Sequence, residues 1–186
     1  MTGGDGGVFR IRPARPSDAE AISALTAAVQ ALHATTRPDL FRQVSPNTFP
    51  AATVRALMAE PDRLFLVAEV AGAVVVGHAY AEVQRQPATP FKHALTRLYV
   101  HQMAVAAEHR GRGAGTRLLA ALGHAARERG VGTLALDVYA FNAAARRMYE
   151  RAGFVADRTF LSCGLEVLAA DPQESRDAGW AGDARR

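Results

Sequence analysis

The chain has 186 residues, of which 49% are apolar, with a formal charge of +4 and a pI near 9.8. That length supports one full hydrophobic core and is short for two ordinary domains. Its basic residues are scattered, which argues against a nucleic-acid partner. Cys163 is the sole cysteine, which excludes an intramolecular disulfide and a cysteine-based metal site, and no run approaches the roughly 20 apolar residues of a membrane-spanning helix. The expectation is therefore a cytoplasmic protein with no membrane contact.

Residues 1–7 are Gly-rich, lack the basic and apolar regions of a signal peptide, and read as a flexible lead. Residues 8–12 alternate as a short strand that Pro13 to Pro16 close. A helix follows at once, with Ser17 and Glu20 at capping-box spacing and Ile22, Leu25 and Val29 as its buried stripe. Residues 33–50 carry three prolines and read as an irregular connection bordering a substrate pocket, and residues 51–59 as a second helix closed by Pro61.

The β-branched runs 64–70 and 74–84, separated by Ala71-Gly72-Ala73, predict an antiparallel hairpin. Residues 95–106 predict a long fourth strand, and after a glycine cluster Leu118, Leu119 and Leu122 share one face of a helix that Gly130 stops. Residues 133–138 predict a fifth strand and 143–152 a short helix. Gly153-Phe154 then turns the chain into a final strand pair ending near Val167. One domain is expected over 8–168, with a polar tail over 169–186.

The glycine cluster, Arg110-Gly111-Arg112-Gly113-Ala114-Gly115, carries the chemistry. A strand running into close-set glycines and then a helix offers backbone N–H groups at the positive end of the helix dipole, which suits a phosphate. A P-loop requires Gly-Lys-Ser/Thr, whereas Gly115 is followed by Thr116 and Arg117. The dinucleotide fingerprint requires G-x-G-x-x-G, whereas the glycines at 111, 113 and 115 are each two apart.

Arg110, Gly113 and Gly115 do satisfy Arg/Gln-x-x-Gly-x-Gly/Ala, and here the chain resembles the general N-acetyltransferase (GNAT) superfamily. Upstream, Met103-Ala104-Val105 stands where that family has a bulged strand that binds the pantetheine arm. Downstream, the stretch from Asn142 through Arg146-Arg147-Met148-Tyr149 to Gly153-Phe154 is similar to its second signature. The resemblance implies a mixed α/β GNAT fold, with a mostly antiparallel, twisted sheet of about six to seven strands and about four helices. It covers about residues 8–167 and is specific over roughly 98–154.

It also implies acetyl-CoA as co-substrate, no metal, and an amine acceptor attacked directly in a ternary complex. The implied cradle is Arg110 and the backbone of Gly111, Arg112, Gly113, Ala114, Gly115 and Thr116, with Met103, Ala104 and Val105 along the pantetheine. Asn142 is a cofactor contact, a helix cap, or both. Tyr149, two helical turns from Asn142 on the same face, is the implied general acid. Glu82, His101 and Asp137 are alternative bases beside a water chain. Arg37 and Asp39 are candidate acceptor contacts or solvated loop charges. Two departures stand out: Ala107 replaces a frequent proline, and His101 replaces a frequent acid. The alternatives are an inactive acyl-CoA-binding sensor or interaction module, and a transferase using another acyl-CoA or a hydroxyl acceptor. Members are often homodimers, which no apolar stripe here supports independently.

Overall fold

A computed structural model describes residues 9–165 of the chain. Five strands, β1 (Arg10–Pro13), β2 (Arg63–Val70), β3 (Val74–Gln86), β4 (Leu95–Val105) and β5 (Leu134–Leu136), form one sheet in chain order. Neighbours are antiparallel except β4 and β5, which run parallel. The helices are α1 (Ala19–Thr36), α2 (Ala51–Met58), α3 (Ala114–Glu128) and α4 (Ala143–Arg151). A parallel pair needs a crossover connection, and α3 provides it.

Strand β2 shows why the central runs are apolar without alternation. Leu66 and Ala68 pack with Leu98, Leu118 and Leu122 on the α3 side, while Phe65 and Val67 pack with Ala19, Ile22 and Val54 on the α1–α2 side. Both faces are covered, so both parities must be apolar. Leu118 and Leu122 are fully buried, and truncation of such a leucine to alanine costs about 2–5 kcal/mol. Gly130, at φ 67°, ends α3 as the sequence predicts. The β2–β3 turn contains Gly72 and Ala73, at φ 80° and 59°.

Three expectations are corrected. Ser17 and Glu20 do not form a capping box: Pro16–Asp18 is a 3₁₀ turn, the Asp18 carboxylate accepts from the Arg15 N–H at 2.6 Å, and Glu20 pairs with Arg55. Asp18 is recruited because Arg12, half-buried on β1, is held by two carboxylates, Asp18 at 2.7 Å and Glu69 at 2.7 Å. Helix α1 runs on to Thr36, so His33 lies in its last turn and not in the loop. Finally, the strand pair expected after Gly153-Phe154 is absent among the described residues. None of residues 154–165 lies in a strand, so the described residues hold five strands where about six to seven are expected. Val167, where the last strand was expected to end, and the expected lead and tail lie outside the described residues.

Candidate active site

The site begins as a defect in strand pairing. β5 pairs with β4 only from Leu98 to Val100, opposite Leu134 to Leu136, while β4 continues to Val105. The register of β4 on β3 steps from Ala81↔Val100 to Tyr80↔Gln102, which leaves His101 as the extra residue of a bulge. A bulge bends and twists its strand. β4 therefore diverges from β5 immediately beyond Val100, and its later backbone groups on that edge have no β5 ladder partner. The strand that carries Met103, Ala104 and Val105 is thus bulged, at His101.

A cavity of about 360 Å³ occupies this opening. Gln102, Met103 and Ala104 line it from β4, Asp137 from the end of β5, and Asn142 and Tyr149 from α4. Val105 and Glu82 are not on its wall. A separate, more open hollow of about 440 Å³ between α1 and residues 44–51 holds none of the candidate reacting groups.

The glycine cluster forms the entry to α3. Gly113 caps the helix at φ 90°, with no side chain bonded to the first-turn amides. The orphan N–H groups of a helix start suit an anion. Space in front of Gly113 is open, so its glycine is required by conformation. Gly115 differs: a Cβ there would lie 2.8 Å from Met148 Sδ. Its glycine lets α4 rest against α3, and α4 is the helix that carries Asn142 and Tyr149. Arg110 donates from Nε to the Val105 carbonyl at 2.9 Å, tying the loop to the end of β4.

Four groups converge on the cavity. Asn142 accepts from the Ala145 N–H at 3.2 Å and so caps α4, leaving its NH₂ as a donor at the wall. Burial raises the Tyr149 pKa, so the phenol is protonated at neutral pH. His101 Nε2 lies 2.7 Å from Glu82 Oε2, and its ring stacks on Tyr80 and meets Tyr99 edge-on. Glu82 thus orients His101 from behind, and a ring holding its Nε2 proton against a carboxylate offers Nδ1 as the basic nitrogen. Asp137 Oδ2 accepts from the Tyr99 hydroxyl at 2.7 Å. Arg37 and Asp39 instead pair with each other at 2.6 Å on the exposed loop, off the cavity wall.

Sequence reasoning missed the rest of the wall. Tyr99 was findable, two residues before His101 on the same strand. A buried polar relay was not: Thr26 on α1 donates to Gln102 Oε1 at 3.2 Å and lies 3.1 Å from His78 Nε2. Because the single Thr26 proton goes to Gln102, His78 must donate from Nε2, leaving Nδ1 a buried acceptor without a protein partner. Desolvation lowers the His78 pKa to about 4. At the mouth, His33, Phe41, Tyr139 and Phe141 form an aromatic cluster with ring centroids 4.9–5.6 Å apart. Its members come from three separate segments, with no common sequence signal.

A family model described as the Acetyltransferase (GNAT) family matches residues 29–154. The streptothricin acetyltransferase of Streptomyces lavendulae is 30% identical over 182 residues, covering 89% of this chain and 88% of that protein. An uncharacterized N-acetyltransferase of Bacillus subtilis, YycN, is 36% identical over 63 residues, which span 34% of this chain and 40% of its own length. Among solved structures, a mutant of the BH1408 protein of Bacillus halodurans superposes with a TM-score of 0.80 at 22% identity, covering 83% of this chain and 98% of that one. The aminoglycoside antibiotic 6'-N-acetyltransferase of Acinetobacter baumannii gives 0.65 at 17% identity, covering 84% and 97%. At these identities the superpositions establish the fold.

Proposed function

The chain belongs to the GNAT acetyltransferase family, and on that premise we propose that it transfers an acetyl group from acetyl-CoA to a primary amine of a small molecule or peptide, in a ternary complex. The observation that carries this reading is the β4–β5 opening, which leads into a cavity where Tyr149, His101 and Asp137 converge.

Acetyl-CoA supplies a thioester as the activated acyl group. The uncapped first-turn amides of α3, at Gly113, Ala114, Gly115 and Thr116, fit its pyrophosphate. Gly111 and Arg112 complete the loop, and Arg110 braces it. The β4 edge from His101 to Val105, lacking a β5 partner, fits the amides of the pantetheine arm, and Asn142 contributes its NH₂.

The amine must lose a proton as the N–C bond forms, and the departing thiolate must gain one as the C–S bond breaks. Tyr149 is the general acid, since its raised pKa keeps a proton available at neutral pH. His101 is the base that the geometry favours, because Glu82 holds the ring in one orientation at 2.7 Å. Asp137, held by Tyr99, orients the amine. A thermal-shift series of acyl-CoAs followed by thiol release with an amine panel tests the reading. Stabilisation by acetyl-CoA with turnover of at least one primary amine is expected. Stabilisation without turnover of any amine would instead identify an acyl-CoA sensor.

A further inference from the structure

The bulge at His101 has a second effect on β4. Side chains directly opposite in an antiparallel pair share a face, and the register sets Tyr99 opposite Glu82, Gln102 opposite Tyr80 and Ala104 opposite His78. This is the face that meets α1, since His78 and Gln102 both bond Thr26 of that helix. His101 lies on it too, with its ring stacked on Tyr80 at 4.9 Å. In an unbroken strand Gln102 would point to the opposite side from His101. The extra residue turns it back, and Met103 and Val105 pack on the α3 side instead. Tyr99, His101 and Gln102 therefore stand together on one wall of the cavity.

Gln102 is also held at its far end. Thr26 Oγ1 lies 3.2 Å from Gln102 Oε1 and 3.1 Å from Nε2 of the fully buried His78. A hydroxyl has one proton to donate, so the chain of bonds runs in one of two directions. In the first, His78 donates from Nε2 to Thr26, and Thr26 donates to the Gln102 carbonyl. In the second, the amide is turned over, both bonds reverse, and His78 carries its proton on Nδ1. That nitrogen is buried and bonds none of the described residues. A buried N–H without an acceptor is avoided more strictly than a buried acceptor without a donor, which selects the first direction. Burial also lowers the His78 pKa to about 4, so the ring keeps a single proton at neutral pH. The Gln102 NH₂ group, turned from Thr26, bonds none of the described residues and keeps two donor protons at the cavity. A free glutamine side chain has much rotamer freedom to lose, and the bond from Thr26 has already removed it.

We propose that Gln102 is a specificity-determining residue of the acceptor site, donating from its NH₂ group to an oxygen of the molecule whose amine lies beside His101. Thr26, backed by His78, is a positioning residue that acts only through Gln102. This rests on the transferase reading above and adds two residues to it. Neither takes part in bond making: the relay fixes the direction of one donor before the acceptor arrives, so that its ordering is not charged to binding. Substitutions along it act on kcat/KM for the acceptor and leave KM for acetyl-CoA unchanged.

The test measures thiol release at saturating acetyl-CoA with an amine panel that includes glycinamide, ethanolamine and n-propylamine, in the wild type, Gln102→Met, Thr26→Val, Thr26→Ser and the Thr26→Val/Gln102→Met double variant. Gln102→Met, similar in shape but without the donor, is expected to lower kcat/KM about tenfold for amines that carry an oxygen and to leave n-propylamine within about twofold. Thr26→Val is expected to give a loss of about fivefold that disappears in the Gln102→Met background, and Thr26→Ser to restore the wild-type value. Gln102→Met leaves the Thr26–His78 bond in place, so it decides the matter even if Thr26→Val fails to fold. Side-chain NMR reads the relay in the resting protein: His78 should carry its proton on Nε2, and Thr26→Val should merge the Gln102 NH₂ signals with those of exposed glutamines. The proposal is overturned by a His78 proton on Nδ1, by an equal effect of Gln102→Met on all amines, by a Thr26→Val loss that persists in the double variant, or by turnover confined to amines without an oxygen. All four outcomes leave the transferase reading standing. Failure of every amine, with acetyl-CoA still raising the melting temperature, sinks that reading and the acceptor contact with it.

Discussion

In the proposed reading, the donor side and the acceptor side of the cavity are built on different principles. The donor side uses backbone: a helix start, an unpaired strand edge and a cap at Asn142, contributed by adjacent segments from Leu98 to Tyr149. The acceptor side uses side chains from remote segments. Thr26 and His33 come from α1, Phe41 from the loop after it, His78 from β3 and Tyr139 from beyond β5. Backbone recognition serves one ligand whose shape does not vary, so local sequence suffices to specify it. Side-chain recognition can be altered one residue at a time without disturbing the fold, which is why acceptor identity has no local signature.

Substitutions can sharpen this contrast. The largest expected effect is at the meeting point of the two sides. Tyr149→Phe is expected to lower kcat about a hundredfold or more, with the melting shift produced by acetyl-CoA unchanged. A variant retaining full turnover across the pH range would remove Tyr149 from the proton path.

Next in size is a pH effect confined to the acceptor side. His78 is neutral when folded, with its pKa lowered to about 4 from an ordinary 6.5. The unfolded chain therefore binds a proton that the folded chain refuses between those values. Stability is complete above pH 6.5 and falls as the pH drops toward 4, by about 3 kcal/mol in all. Asp18 and Glu69, held low by Arg12, add to the loss only below the ordinary carboxylate range. Denaturant titrations at stepped pH would measure the slope, and His78→Gln, which keeps a donor for Thr26, should reduce it to the part that His33, whose pKa burial also lowers, contributes.

The smallest effects separate two glycines of the donor side. Gly113→Ala places a side chain at φ 90°, which costs about 1–2 kcal/mol and should raise KM for acetyl-CoA while leaving kcat nearly intact. Gly115→Ala meets the far end of the flexible Met148 side chain, so its cost should stay near or below about 1 kcal/mol. Its effect should fall on kcat through the placement of α4 and Tyr149. If both variants changed only KM for acetyl-CoA, the assignment of Gly115 to helix packing would fail.

Much of the fold was readable beforehand. The hairpin, the long β4, the buried face of α3 and the stop at Gly130 all follow from period, β-branching and turn chemistry. Errors arose where a distant partner outweighed a local signal. The Ser17–Glu20 spacing matches a capping box, but the half-buried Arg12 claims Asp18 and Arg55 claims Glu20. The proline-rich stretch suggests an early end to α1, but the first of its prolines is Pro38, and the helix continues to Thr36 before reaching it. The residue at which β4 bulges, His101, also has no local signal, since register is decided jointly by both strands.

The sequence by itself determined the α/β fold and the local backbone of the glycine-capped start of α3 and of the Asn142 cap, because glycine spacing, a helix start and a capping asparagine act on backbone within a few residues of one another. Only the tertiary structure decided which side chains share the cavity: that Glu82 stands behind His101, that Tyr99 holds Asp137, that Thr26 joins His78 to Gln102, and that four aromatic rings from three segments close on one another. Those contacts span tens of residues in the chain. They form because strand pairing and helix packing bring the segments together, and no local pattern encodes them.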